Sequence, residues 1–176
     1  MKHTPSLLRL LVRYEPETGK LYWLTRPRIF FRDDREHKRW NSRYAGTEAF
    51  SLKANGYCEG MIFRTPYKAH RVAWAVHYGE WPEHDIDHIN GDRSDNRLEN
   101  LRAVTRAENA RNSAFRKNNT SGALGVAKHG DRWKAYICVD GRNIHLGVFG
   151  TLDEARASRK AAEGRYGYHQ NHGRAA

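Results

Sequence analysis

The chain has 176 residues, with 31 Lys and Arg against 20 Asp and Glu, a formal net charge of +11 and a pI near 9.9. A mean hydropathy of -0.90 beside 39% hydrophobic residues, five Trp and nine Tyr gives an extensive polar surface over small cores, either one domain or two to three modules. No apolar run is long enough to span a bilayer, the Met-Lys-His-Thr-Pro start lacks a signal-peptide core, and Cys58 and Cys138 form neither a zinc-ligand pair nor a disulfide framework, so a soluble protein in a reducing cytoplasm is expected.

Thr4-Pro5 caps a first short helix with Leu7, Leu8, Leu11 and Val12 on its apolar side. Glu15 to Gly19 turns the chain, and Lys20 to Leu24 reads as a strand. Residues 25–44 carry Arg26, Arg28, Arg32, Arg35, Lys38, Arg39 and Arg43 among aromatics and read as a mobile loop, either contacting phosphates or solvated with no partner. Thr47 to Leu52 and Tyr57 to Phe63 read as strands joined around Asn55-Gly56, a strong hairpin signal. Tyr67 to Tyr78 suits a helix closed by Trp81-Pro82, with Val72, Trp74, Ala75 and Val76 mostly buried and His70 and His77 as packing or hydrogen-bonding residues.

Residues 85–112 carry the chemistry. Ile86 and Ile89 flank the Asp87-His88 pair as strand residues would, Asn90-Gly91-Asp92 turns the chain, and Leu98, Leu101 and Val104 supply the apolar positions of a returning segment. Thr105 and Glu108 form a capping box, so a helix begins near Arg106 and carries Asn109 one turn later on the same face. A hairpin packed on that helix would gather Asp87, His88, Arg106 and Asn109 into one pocket. The Asp87 carboxylate and Asn109 amide oxygen are two hard ligands that leave room for water and phosphate, as Mg2+ prefers. His88 suits removal of a proton from an attacking water, and Arg106 suits binding of the same phosphate. A helix-loop-helix calcium site fails because Ile89 and Gly91 fall at ligand positions, and the His84/His88 pair has its Glu misplaced for a metalloprotease.

This stretch resembles an HNH endonuclease of the phage and intron-encoded homing type, in which a ββα-metal finger cleaves DNA with one divalent ion. The three letters correspond to His88, Asn100 and Asn109, the last being Asn where other members have His. The resemblance implies Asp87 and Asn109 as metal ligands for Mg2+ or Mn2+, and His88 as general base. It also implies that Asn100 ties the hairpin loop and orients His88, and that the product ends are 5′-phosphate and 3′-hydroxyl; a phage-encoded protein in the cytoplasm of a bacterial host is expected, or an organellar one if the source is eukaryotic. The charge distribution agrees: residues 85–115 hold 5 basic and 6 acidic side chains, against 15 and 9 before them and 11 and 5 after.

Residues 113–121 are polar, basic and aperiodic, and read as a linker with a domain boundary near 118. Beyond it, Gly125 to Lys128, Arg132 to Val139 and Ile144 to Phe149 suggest three antiparallel strands, with Asp140-Gly141 as a tight turn. Thr151 and Glu154 form a second capping box that opens a helix to about Gly164, with Ala155 and Ala162 small enough for close seating on the sheet. Trp133, Ala135, Ile137 and Val139 alternate with Arg132, Lys134, Tyr136 and Cys138, one face buried and one basic and aromatic. Gly125-Val126, Trp133, Ala135, Ile137, Leu146-Gly147, Phe149 and Glu154-Ala155 resemble the plant ethylene-response-factor DNA-binding domain. That resemblance implies a DNA-facing set of Ala127, His129, Arg132, Lys134, Tyr136, Asn143 and His145.

The expected architecture is α+β: an N-terminal sheet-helix region (1–66), a ββα-metal nuclease module (67–117), a three-stranded antiparallel sheet packed on one helix (118–169) and a tail (170–176). The expected function is metal-dependent hydrolysis of double-stranded DNA by a monomer or weak dimer, by nicking or double-strand cleavage. The alternative is a sequence-specific DNA-binding regulator with an inactive nuclease module, and an RNA substrate is a third reading.

Overall fold

The computed structural model describes residues 2–105, 108–109, 121–168 and 172 of an α+β chain. It divides into two compact units, Met1–Ala103 and Val104–Ala176. The expected boundary between 66 and 67 falls inside the first unit, and the one between 117 and 118 lies outside the described residues. Among the described residues no helix is long and apolar enough to cross a membrane.

In the first unit the Thr4 side chain accepts from the Leu7 amide and Pro5 occupies the first turn, which opens α1 (Pro5–Leu11). Val12, expected on that helix, instead begins β1 (Val12–Glu15). Buried Val12 and Tyr14 alternate there with exposed Arg13, a period of two that a helix cannot satisfy. β1 pairs antiparallel with β2 (Lys20–Trp23).

The expected mobile loop at 25–44 is corrected: after a short 3-10 turn at Arg28–Phe30 it forms α2 (Asp34–Tyr44). Asp33 caps this helix by accepting from the Glu36 amide at 2.7 Å, and Asp34 and Glu36 lie in the first turn, where carboxylates favour the helix dipole. Arg26 ties it to β2. Its backbone exchanges bonds of 2.9 and 3.1 Å with the Asn41 amide, and its guanidinium lies 3.9 Å from the Trp40 ring centroid and 4.7 Å from that of Trp23.

β3 (Ser51–Leu52), β4 (Cys58–Ile62) and β5 (Thr65–Lys68) form an antiparallel sheet in that order. The strand expected from Thr47 is shorter, because Glu48 bridges to Tyr22 rather than joining this ladder. The helix expected from Tyr67 begins at Ala69 as α3 (Ala69–Tyr78), because residues 65–68 extend as an edge strand where Pro66 need not donate to a further strand. β6 (Asp85–His88) pairs with β7 (Leu101–Val104), reached through a 3-10 turn at Leu98–Asn100.

One core joins most of these elements: Leu8, Leu11, Leu21, Ile62 and Val72 cluster with Ile86 and Leu101 of the β6–β7 hairpin. Each such side chain contributes roughly 1.5–3 kcal/mol by leaving water. The β1–β2 turn also braces the loop between β6 and β7. Tyr14 Oη donates to the Asn96 carbonyl at 2.7 Å, and the Leu98 amide donates to the Pro16 carbonyl at 3.0 Å.

The second unit opens with the expected capping box. The Glu108 carboxylate accepts from the Thr105 amide at 2.8 Å and Thr105 Oγ1 accepts from the Glu108 amide at 3.3 Å, with Asn109 helical behind them. Its sheet is β8 (Val126–His129), β9 (Arg132–Val139) and β10 (Arg142–Phe149), with β9 central. Asp140 and Gly141 both have positive φ, 49° and 77°, the geometry of the tight turn expected there. α4 (Leu152–Arg165) starts at the Thr151–Glu154 capping box and packs on this sheet with Ala155 and Ala162 fully buried.

Gly19 sits where the β1–β2 turn meets the loop, at φ +74°, and a Cβ there would stand 2.4 Å from the Arg97 nitrogen and 2.5 Å from the Asn96 carbonyl carbon. Backbone cannot yield as a flexible side chain can. Gly19→Ala is therefore expected to destabilise the protein by about 2 kcal/mol or more in urea unfolding, and unchanged stability would contradict this close approach.

Candidate active site

β6 delivers Asp87 and His88 side by side, both less than a tenth exposed. The segment that follows is a web of side-chain to backbone bonds. Asn100 Oδ1 accepts from the Asn90 amide at 2.9 Å and its Nδ2 donates to the Asp95 carbonyl at 2.8 Å, so Asn100 closes the loop from within. Arg97 grips Asp95 at 2.8 Å and holds its carboxyl down at about 2.

The orienting contact on His88 comes from a different residue than expected. His88 Nε2 lies 3.1 Å from Asn96 Oδ1, whereas both ends of the Asn100 amide are committed to the loop. Asn96 Nδ2 donates to the Ser94 carbonyl at 3.2 Å, which turns its oxygen toward the imidazole. A carbonyl oxygen only accepts, so the imidazole proton belongs on Nε2 and the lone pair on Nδ1. Burial lowers the His88 pKa, against the opposing pull of Asn96 and the nearby Asp87, Asp92 and Asp95 carboxylates.

His70 of α3 stands edge-on to this imidazole with ring centroids 5.0 Å apart, and Tyr57 packs on His70 at 5.4 Å. Buried with Nδ1 unpartnered, His70 has its pKa pushed down to about 3, by desolvation first and then by His88, Lys68 and Arg71. Asp87 Oδ2 accepts from both Nε and Nη2 of Arg102, at 3.1 and 2.8 Å. Counting two residues back on each strand from the Ile89–Asn100 backbone bond places Arg102 opposite Asp87, so the turn length already encodes this pair. Asn96 carries no comparable signal, since its spacing does not set it apart from Asn90 or Asn100.

Asp87, His88 and Asn100 thus share the β6–β7 hairpin of the first unit. Asn109 lies in the helical turn of the second unit, its amide donating to the Thr105 carbonyl at 2.9 Å, and Arg106 lies outside the described residues. Among the described residues no group of three or more His, Cys, Asp or Glu forms a metal cage. The Asp87 carboxylate offers a hard oxygen donor of the kind that divalent ions such as Mg2+ take.

In the second unit the register pairs Ala127 with Lys134, His129 with Arg132, His145 with Tyr136 and Asn143 with Cys138. Directly opposed residues project to one side of a sheet, so the whole expected DNA-facing set shares a face, opposite buried Ala135 and Ile137.

A family model described as HNH endonuclease matches residues 67–111, which span α3 and the β6–β7 hairpin. Protein 3.8 of Escherichia phage T7 is 34% identical over 85 residues, which cover 47% of this chain and 69% of that protein. The chain belongs to the HNH endonuclease family. The solved HNH homing endonuclease I-HmuI aligns over 92% of this chain and 88% of its own, at 18% identity and a TM-score of 0.40. The family match centres on the hairpin in which the HNH segment holds its buried Asp-His pair.

The depressed His70 pKa sets a pH dependence of stability. Unfolded His70 takes up a proton below its ordinary 6.5 while folded His70 stays neutral down to about 3, so stability is present above 6.5 and is lost as pH falls through that window. The thermal unfolding midpoint is expected to drop between about pH 7 and pH 5, and to drop less in His70→Phe. Equal slopes in the two proteins would show that His70 is protonated in the folded state.

Proposed function

We propose that this HNH protein hydrolyses phosphodiester bonds in double-stranded DNA, with His88 as the general base. The observation that carries the reading is the buried imidazole beside Asp87, with Nε2 engaged by Asn96, within the segment that matches the family. His88 takes a proton from water through Nδ1, and Asn96 keeps the ring from turning its protonated nitrogen toward that water. Asn100 holds the loop that carries Asn96. Asp87 and Asn109 would hold one divalent ion, Mg2+ or Mn2+, and Arg106 would add positive charge at the same phosphate. Bound there, the ion supplies stabilisation of charge on the scissile phosphate and leaving oxygen. Arg102 restrains the Asp87 carboxylate across the hairpin.

The basic face of the second unit would bind the duplex. Arg132, Lys134, Tyr136, His129, Asn143 and His145 lie on it, a mix of cations and hydrogen-bonding groups suited to phosphates and base edges. The partner is thus double-stranded DNA in a phage-infected bacterial cytoplasm, bound by a monomer or weak dimer. One chain presents one general base, so the water it activates attacks one phosphorus and breaks its bond to the 3′-oxygen of one strand.

Supercoiled plasmid incubated with the protein should be nicked in Mg2+ or Mn2+ and not in EDTA. His88→Ala should lower the rate at least about 100-fold, and Asn96→Ala about 10-fold, with DNA affinity retained in both. Cleavage by His88→Ala at the wild-type rate would remove His88 from the chemistry. DNA binding without metal-dependent cleavage would favour a regulator. Arg132→Gln with Lys134→Gln should weaken DNA binding and its salt dependence while leaving the divalent-metal requirement unaltered; full affinity in that variant would contradict the sheet's role.

A further inference from the structure

Four of the seven cations of residues 25–44 lie on one face of α2. Arg35, Lys38, Arg39, Ser42 and Arg43 are exposed, whereas Glu36, His37, Trp40, Asn41 and Tyr44 are half-buried, an alternation at helical spacing. Two of the three acids at the start of the helix pair with neighbouring arginines, and the third accepts a backbone amide. Asp34 is bound by Arg28, Asp33 lies 3.4 Å from Arg32, and Glu36 accepts from the Arg32 amide at 3.2 Å. Among the described residues, Arg35, Lys38, Arg39 and Arg43 form no ion pair within 4 Å, Lys38 feeling only a longer-range attraction from Asp34, so one face carries four exposed cations without a bound carboxylate.

The helix is held in place through its inner side. His37 and Asn41 both bind the Arg26 carbonyl, at 3.0 and 3.1 Å, and the Arg26 guanidinium lies over Trp40. The rings beneath the cations border a groove of about 420 Å³ with Arg39 and Arg43 at its rim. Phe31 and Tyr44 tilt onto Trp40 with centroids at 6.0 and 5.3 Å, and Trp23 meets it edge-on. Rings engaged with one another and with Arg26 serve as the floor that fixes the helix rather than as open platforms for unstacked bases.

We propose that the outer face of α2 is a second DNA-binding surface, which grips the phosphate backbone of duplex DNA from the first unit, independently of the C-terminal sheet. It takes its partner from the proposed function and adds to it a site of contact. From Arg35 to Arg43 the helix rises about 12 Å, enough to address three or four phosphates at about 3.4 Å of duplex axis per strand. Contacts of this kind carry no sequence information; they set affinity and hold the protein in register on the duplex.

The test uses the full chain in EDTA, so binding is read without cleavage. Fluorescence anisotropy of a labelled duplex of arbitrary sequence is followed across salt concentrations for three proteins: wild type, the quadruple variant Arg35→Gln, Lys38→Gln, Arg39→Gln, Arg43→Gln, and Ser42→Glu, which puts an anion amid the cations. The slope of log affinity against log salt should be shallower by about 3 in the quadruple variant, at about 0.9 per lost phosphate contact, with at least tenfold weaker binding at about 0.1 M salt. Ser42→Glu should weaken binding roughly threefold with its circular dichroism unchanged. Coincident salt lines for wild type and the quadruple variant, an effect confined to single-stranded oligonucleotide, or no duplex binding by the wild type would each overturn the proposal. Plasmid nicking in Mg2+ by the same preparations separates the two readings. A changed slope without nicking by wild type sinks the nuclease and leaves this surface standing, and nicking with an unchanged slope does the reverse.

Discussion

A hydrogen bond between two buried side chains, His88 Nε2 to Asn96 Oδ1 at 3.1 Å, is the constraint on which the proposed active site depends. An imidazole in water samples both tautomers and turns freely. Here burial disfavours its charged form, and one amide oxygen selects the proton's place. That selection holds only while Asn96 is itself held, and leaving such a buried donor unpaired costs about 1–3 kcal/mol. Much of the first unit serves that end: Asn96 Nδ2 on Ser94, its carbonyl on Tyr14, Leu98 on Pro16, and Gly19 against its backbone. The N-terminal strands and the hairpin share a core because a loop of polar residues cannot fix an angle without an apolar support behind it.

The parts of the fold that were legible from sequence are those with a local physical cause. Thr4-Pro5, Thr105–Glu108 and Thr151–Glu154 announce helix starts through their own hydrogen bonds, and Asp140-Gly141 announces a turn through positive φ. α2 was hidden because only Trp40 and Tyr44 mark its inner side with apolar rings. The rest of that side, Glu36, His37 and Asn41, is polar and held by hydrogen bonds to backbone near Arg32 and Arg26. Val12 was misplaced because an apolar residue after Leu11 continues a helical stripe as readily as it starts a strand. Its neighbour across the chain, Trp23, decides the matter.

The site was legible to the same degree. Asp87 and His88 stand out as a strand-end pair, whereas the role of Asn100 comes only with the family resemblance; in the fold its side chain accepts from the Asn90 amide and donates to the Asp95 carbonyl. The residue that engages the imidazole did not stand out, since Asn90, Asn96 and Asn100 are chemically alike and only the folded loop distinguishes them. Arg102 was recoverable from strand register, and His70 was visible only as a packing residue, which agrees with its ring contacts on His88 and Tyr57. In the proposed division of labour the hairpin supplies chemistry, and two basic surfaces, one in each unit, supply hold on the duplex.

The most direct measurement of the central claim is the tautomer of His88 in the full-length protein, read from the two-bond nitrogen–proton correlations of its imidazole by NMR at neutral pH. A neutral ring with the proton on Nε2 is expected in the wild type, with a shift to mixed tautomers in Asn96→Ala. A ring protonated on Nδ1, or a doubly protonated imidazolium, would remove the base from the position that the proposed hydrolysis requires.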